Sequence, residues 1–150
     1  MIFVSHARGR IDDEFAVWLA LQLAKEGYEV WCDETDLLGG EYHWEDIKDA
    51  LEESSKFLYV LSDRSNKASP EGGAVKELHL ARSVQREVNT DFVIPLRIEE
   101  LSDHRTPHLQ GRTDIDFVSE GWASGLSQLL KKLKRDNIEK ADTGDPSSVS

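Results

Sequence analysis

The sequence predicts an α/β fold built on a five-stranded parallel sheet in the order 2-1-3-4-5, flanked by helices. Three observations carry this expectation. Short apolar runs alternate with helical stretches, the pattern of strands joined by right-handed crossovers. Residues 57–61 (FLYVL) are apolar throughout, as expected at the centre of a parallel sheet. The chain's 150 residues suit one domain with a real core and leave room for five such strands and about five helices.

The chain opens on a strand, residues 2–4, ending at Ser5-His6. A polar loop follows, in which Asp12 or Asp13 is expected to cap the first helix. Phe15, Trp18, Leu19 and Leu23 supply that helix's buried face, and Gly27 stops it. Residues 28–32 (YEVWC) form strand two, and residues 33–43 a long loop with paired glycines. Trp44, Ile47 and Leu51 mark helix two. After strand three, residues 63–73 read as a Ser/Asn/Pro/Gly loop. Helix three covers 73–88 (GAVKELHLARSVQREV). Residues 92–98 form strand four, where Pro95 is expected to make edge pairing imperfect, and 115–118 a short strand five. Trp122, Leu126, Leu129, Leu130 and Leu133 line the last helix. Composition places one domain over 1–137 and a disordered tail or linker over 138–150. The arrangement is flavodoxin-like, and its ligand crevice lies beyond the carboxyl ends of strands one and three.

A formal charge of −11 would repel phosphate backbones, which excludes direct nucleic-acid binding. No apolar run reaches the roughly 20 residues needed to cross a bilayer, so no membrane role is expected. The opening MIFVSHARGR lacks the features of a signal peptide. Cys32 is the only cysteine, so neither an intrachain disulfide nor a thiolate metal cluster forms. His104 and His108 lie in an irregular stretch without metal-ligand spacing, and no metal is expected. A cytoplasmic location is the simplest reading. There is no internal repeat, Walker A sequence, G-x-G-x-x-G or G-x-S-x-G.

One residue breaks the pattern. Ala74, Leu78, Ala81, Val84 and Val88 recur at helical spacing, and Glu77 falls on their apolar stripe. A carboxylate facing a packed interior costs free energy unless it is paired, hydrogen-bonded or used. Topology puts the start of this helix beside the crevice, with Ser5-His6-Ala7, Leu61-Ser62 and the loop 33–43.

FVSHA at strand one, GYEVWCD at strand two, a glycine loop leading to Trp44, FLYVLS at strand three and VKEL opening helix three resemble the TIR domain family. The resemblance covers about residues 1–135. Together with Val93-Ile94-Pro95-Leu96 and Trp122-Ala123-Ser124-Gly125-Leu126, it is nearest to bacterial TIR domains encoded with short prokaryotic Argonautes. In that group a further C-terminal domain, absent here, contacts the Argonaute. The chain is then either an excised domain or a stand-alone protein, with a short Argonaute as an implied partner in the first case.

Many TIR domains are NAD⁺ glycohydrolases, and the resemblance implies that activity, in bacterial defence and upon self-assembly. It implies Glu77 as the catalytic carboxylate. NAD⁺ would be substrate, with no cofactor. Nicotinamide leaves without a general acid, and a carboxylate beneath the ribose stabilises the oxocarbenium-like transition state. The helix N-terminus and Lys76 favour the ionised Glu77, and burial opposes it. The resemblance further implies Trp44 stacking on substrate, Asp33 ordering the loop or meeting a ribose hydroxyl, the backbone N–H groups of Ser5, His6 and Ala7 near a phosphate, and Lys76 among the residues that bind NAD⁺. Leu38 and Gly39 belong to a loop that both covers substrate and contacts neighbouring domains. Where many relatives carry an Arg, this chain has His6 and then Arg8, and the choice between them stays open. Assembly surfaces are expected at 33–43 and 99–113. Because a neighbouring subunit can supply the opposite wall, Glu77 need not be buried in a closed core.

Two alternatives accompany this reading: a non-catalytic TIR–TIR signalling module, and a cyclase making a cyclic ADP-ribose signal. A phosphoacceptor receiver shares the topology, with Asp63 as acceptor, but the sequence lacks its Mg²⁺-binding acids and its lysine.

Overall fold

A computed structural model describes residues 1–32, 44–67, 73–84, 91–109 and 112–140. The strands are β1 (Ile2–Ser5), β2 (Val30–Cys32), β3 (Lys56–Leu61), β4 (Val93–Arg97) and β5 (Ile115–Asp116). They form one parallel sheet in the order β2-β1-β3-β4-β5, as expected. The helices are α1 (Arg10–Lys25), α2 (Trp44–Glu53), α3 (Asp63–Asn66), α4 (Gly73–Val84) and α5 (Trp122–Arg135), with a 3₁₀ turn at Pro107–Leu109.

Alternation along the strands sends side chains to two separate cores. Ile2, Val4, Leu58, Val60, Ile94 and Leu96 pack against Phe15, Leu19 and Leu23 of α1 and Leu129 and Leu133 of α5. Phe3, Phe57, Tyr59 and Leu61 face the other way, onto Ile47 and Leu51 of α2 and Leu78 and Ala81 of α4. Phe3 stacks between Trp31 and Phe57, with ring centroids 4.6 and 5.2 Å away. Ile138 also packs against the first core, and the Lys140 ammonium sits 5.5 Å from the Tyr28 ring centroid.

Several sequence expectations change. Asp12 and Asp13 do not cap α1: the N-cap is Gly9, without a side-chain cap bond. Asp12 is drawn instead into a buried network described below. The stretch after β3 is not all loop, because Ser62 and Ser65 form a reciprocal capping box that nucleates α3. Pro95 lies in an internal strand, opposite Tyr59 of β3. Its missing N–H falls on the β5 side of β4, before β5 begins opposite Leu96, so no ladder bond is lost. Gly27 (φ 95°) ends α1 as expected.

At the foot of the sheet, Lys56 Nζ meets Asp136 Oδ2 at 2.7 Å and the carbonyl of Asp91. The two side chains are 1% and 6% exposed, so this is a buried ion pair. Burial opposes the charged form of both groups. For Asp136 the Lys56 hydrogen bond, with Lys132 and Arg135 nearby, prevails and holds the carboxyl below its ordinary range.

Candidate functional site

Ser5 is the last residue of β1 and, like Phe3, faces the α2–α4 layer. Its Oγ donates to Glu77 Oε1 at 2.7 Å. Glu77 lies near the start of α4 and is only 2% exposed. One oxygen of the carboxylate is therefore bonded across the sheet–helix boundary. Val75, Leu78 and Ala81 of the same helix are buried with it. The side chains of Ala74 and Val84, and residue Val88, lie outside the described residues.

Tyr59 of β3, opposite Ser5 in register, lines the same side. Its hydroxyl donates to the Ser65 carbonyl at 3.2 Å. Burial first, and then the negative charges of Glu77 and Asp12, push its pKa well above the ordinary phenol range. Tyr59 thus stays a neutral donor beside Glu77.

A second cluster holds the neighbouring loops together. Asp12 is fully buried. It accepts from Ser62 Oγ at 2.6 Å and from Arg64 Nε at 2.5 Å. Arg64 reaches on to Glu99 at 2.9 Å, and Glu99 also accepts from the Asp63 backbone N–H at 2.7 Å. The carboxylates prevail over burial and raise the Arg64 pKa further. One charged network thereby ties α1, α3 and the segment after β4 around the crevice. Asp63 accepts from the backbone N–H and hydroxyl of Ser102 at 2.8 and 3.1 Å, and the backbone bond leads in lowering its pKa. That is a loop-bracing role, which leaves the receiver reading without support.

The remaining sequence candidates are placed differently. His6 points to the α1 side of the sheet, its Nδ1 2.8 Å from the Ala7 carbonyl and 3.3 Å from Asp13 Oδ1. Ser5 and His6 therefore leave the end of β1 in opposite directions. Ala7 is half-buried, and Arg8 and Lys76 are exposed. Glu77 is enclosed in this single chain rather than standing open at a rim, with Ser5 of β1 bonded to it and Tyr59 of β3 nearby. Trp44 begins α2, but its side chain lies outside the described residues, as do Asp33, Leu38 and Gly39. Among the described residues no group of three or more His, Cys, Asp or Glu is placed to hold a metal ion.

Sequence reasoning missed Tyr59 and Arg64, placed Ser62 at the strand end without its bond to Asp12, and misassigned Asp12. Only Ser62-x-x-Ser65, a capping-type spacing directly after an apolar strand, offered a local signal.

Comparison with known proteins agrees with this architecture. Residues 2–130 match the family model described as TIR domain. An uncharacterised protein, y4cD of Sinorhizobium fredii (strain NBRC 101917 / NGR234), is 34% identical over 133 residues, 87% of this chain. The match spans 20% of that relative, so the chain corresponds to about a fifth of its length. A prokaryotic SEFIR domain superposes with a TM-score of 0.67 at 17% identity, covering 95% of this chain and 97% of that one. The TIR domains of the activated Roq1 resistosome, which directly recognises the pathogen effector XopQ, superpose at 0.50 and 17% identity, covering 99% and 90%. At these identities the two structures speak to the fold alone.

Proposed function

This chain belongs to the TIR domain family, and from that premise we propose that it is an NAD⁺ glycohydrolase activated by self-assembly. The observation that carries the proposal is the buried Glu77 carboxylate at the carboxyl ends of β1 and β3, held by Ser5. The scissile bond joins ribose C1′ to the nicotinamide ring nitrogen. Its electron pair passes to that nitrogen, and neutral nicotinamide leaves. Water then adds to C1′ and gives up a proton, forming ADP-ribose. Glu77 stabilises the positive charge on the ribose as the bond breaks. In this reading Trp44 stacks on a flat ring of the substrate, Asp33 orders the loop or meets a ribose hydroxyl, and Leu38 and Gly39 cover the substrate. Lys76 and the backbone N–H groups of Ser5, His6 and Ala7 approach the diphosphate.

The enclosure of Glu77 adds a condition. Substrate reaches the carboxylate only when the crevice opens, and docking of a second TIR domain would supply the energy for that. The isolated chain is then nearly inactive, which accords with defence, where the enzyme stays silent until triggered. The role in bacterial immunity, the cytoplasmic setting and an Argonaute partner belong to the same proposal and follow from the family resemblance. Among the described residues no helix is long and apolar enough to cross a membrane.

The test is to follow nicotinamide release chromatographically from induced assemblies of wild type and Glu77→Gln. Release that depends on Glu77 supports the proposal; equal consumption by both would falsify it. The same chromatogram separates ADP-ribose from a cyclic product. A second reading, a non-catalytic assembly module, is favoured by the burial of Glu77 and by exposed Ile11, Val17 and Leu21 on α1. It predicts assembly without nicotinamide release.

A further inference from the structure

We infer that Ser5 is a positioning residue: its hydroxyl, 2.7 Å from Glu77 Oε1, orients the Glu77 carboxylate and holds it ionised for the ribosyl cation. The inference rests on the reading of Glu77 as the group beneath the ribose.

The geometry suits the task. An O–H···O⁻ bond to a charged acceptor runs at about 2.5–2.7 Å, and the observed contact falls at the upper end of that span. Ser5 is 1% exposed, and its backbone is paired in register with Tyr59 of β3, so its hydroxyl has a fixed origin. A glutamate side chain has three rotatable bonds, and one strong bond to a fixed donor removes most of that freedom. A hydroxyl that donates to the carboxylate also favours its charged form.

Among the described residues, other titratable groups stand near Glu77 on the elements packed against it. Tyr59 on β3 is its ionisable neighbour on the sheet, remains protonated, and directs its hydroxyl to Ser65. Lys76 and His79 flank it on its own helix and are exposed. On α2, which packs against α4, the charged Asp46, Lys48, Asp49, Glu52 and Glu53 are all exposed. From β1, the group that meets Glu77 is Ser5 itself.

A structural tie between β1 and α4 would show the same contact, so the test must read something a tie would not move. In assembled protein, Ser5→Ala should lower kcat at least tenfold with KM within about twofold. The acid limb of the pH–rate profile should move up by about one to two units, the size of a lost hydrogen bond to a charged group. Ser5→Thr, which keeps the hydroxyl, should restore the profile toward wild type. Independently of turnover, ¹³C NMR of the Glu77 carboxyl in the full chain should show its midpoint raised by the same amount in Ser5→Ala. A Ser5→Ala protein that melts earlier but keeps the wild-type Glu77 midpoint and kcat would overturn the inference. If wild type releases no nicotinamide while the midpoint still moves, the hydrolase reading fails and the hold of Ser5 on Glu77 stands.

Discussion

Gly125 lies inside α5, where replacing glycine by alanine ordinarily stabilises a helix by about 1 kcal/mol. Here the opposite is expected. A Cβ on Gly125 would stand 2.4, 2.5 and 2.8 Å from three ring atoms of Phe117. Ordinary carbon contacts are about 3.5–4.0 Å, so the ring would have to retreat by about 1 Å. It has little room to do so. Phe117 is 1% exposed and meets Phe15 edge-on at 5.0 Å, and Phe15 meets Trp122 edge-on at 5.1 Å. Overpacking of this kind costs about 1–3 kcal/mol, occasionally more. With three contacts below 3.0 Å, the cost falls in the upper part of that range, about 2–3 kcal/mol, and after subtracting the helix gain Gly125→Ala should be destabilised by about 1–2 kcal/mol. Urea unfolding followed by far-UV circular dichroism measures this through the midpoint at unchanged slope. In a Phe117→Leu background the same substitution should cost less, because the two sites share the contact. A midpoint equal to or above wild type, or an equal cost in both backgrounds, would refute the packing argument.

Other expectations follow from the buried polar groups. Asp136→Ala should cost about 3–5 kcal/mol in urea unfolding, because it strands Lys56 in the interior. Lys56→Met should cost less, since Asp136 keeps Lys132 and Arg135, each at 3.6 Å; the reverse order would contradict this account. Asp136 also has a folded pKa below its ordinary value of 3.8. Its stabilisation is therefore full above that value and lost as pH falls through the folded pKa, which an acid titration of stability will show as a limb missing from Lys56→Met/Asp136→Leu. Asp116 is held down to about 2 by the Ser119 hydroxyl and by the backbone N–H groups of Val118 and Ser119. A carboxyl NMR midpoint near the unperturbed 3.8 would show that these bonds do not form in solution. Asp12→Ala removes the shared acceptor of Ser62 and Arg64 and should cost about 2–3 kcal/mol; thermal unfolding unchanged from wild type would argue against the network.

Much of the fold was legible because its signals are local. The period of Phe15, Leu19 and Leu23, the stop at Gly27 and the apolar run of β3 each lie within one element. The oddity of Glu77 was legible too, since a carboxylate on an apolar stripe is visible without coordinates. What misled was polar residues with two possible uses. Asp12 has the position of a cap, yet a buried partner across the crevice outweighs an exposed cap bond. The serines after β3 read as loop, yet their mutual bonds begin a helix. His6 stood beside Ser5 in the sequence, yet strand alternation sends the two to opposite faces.

From the sequence alone came the order of the strands and of every helix but the short α3, the sheet order, the family and the residue on which the functional proposal turns. Tertiary structure decided who meets whom. Ser5 and Glu77 are 72 residues apart, Asp12 and Ser62 are 50 apart, and Lys56 and Asp136 are 80 apart. It also decided that Glu77 is enclosed. The physical reason is the reach of the forces involved. Periodicity and turn chemistry act within a few residues, so they are written into neighbouring letters. A buried hydrogen bond depends on a partner brought close only after the sheet has formed, and nothing local names that partner.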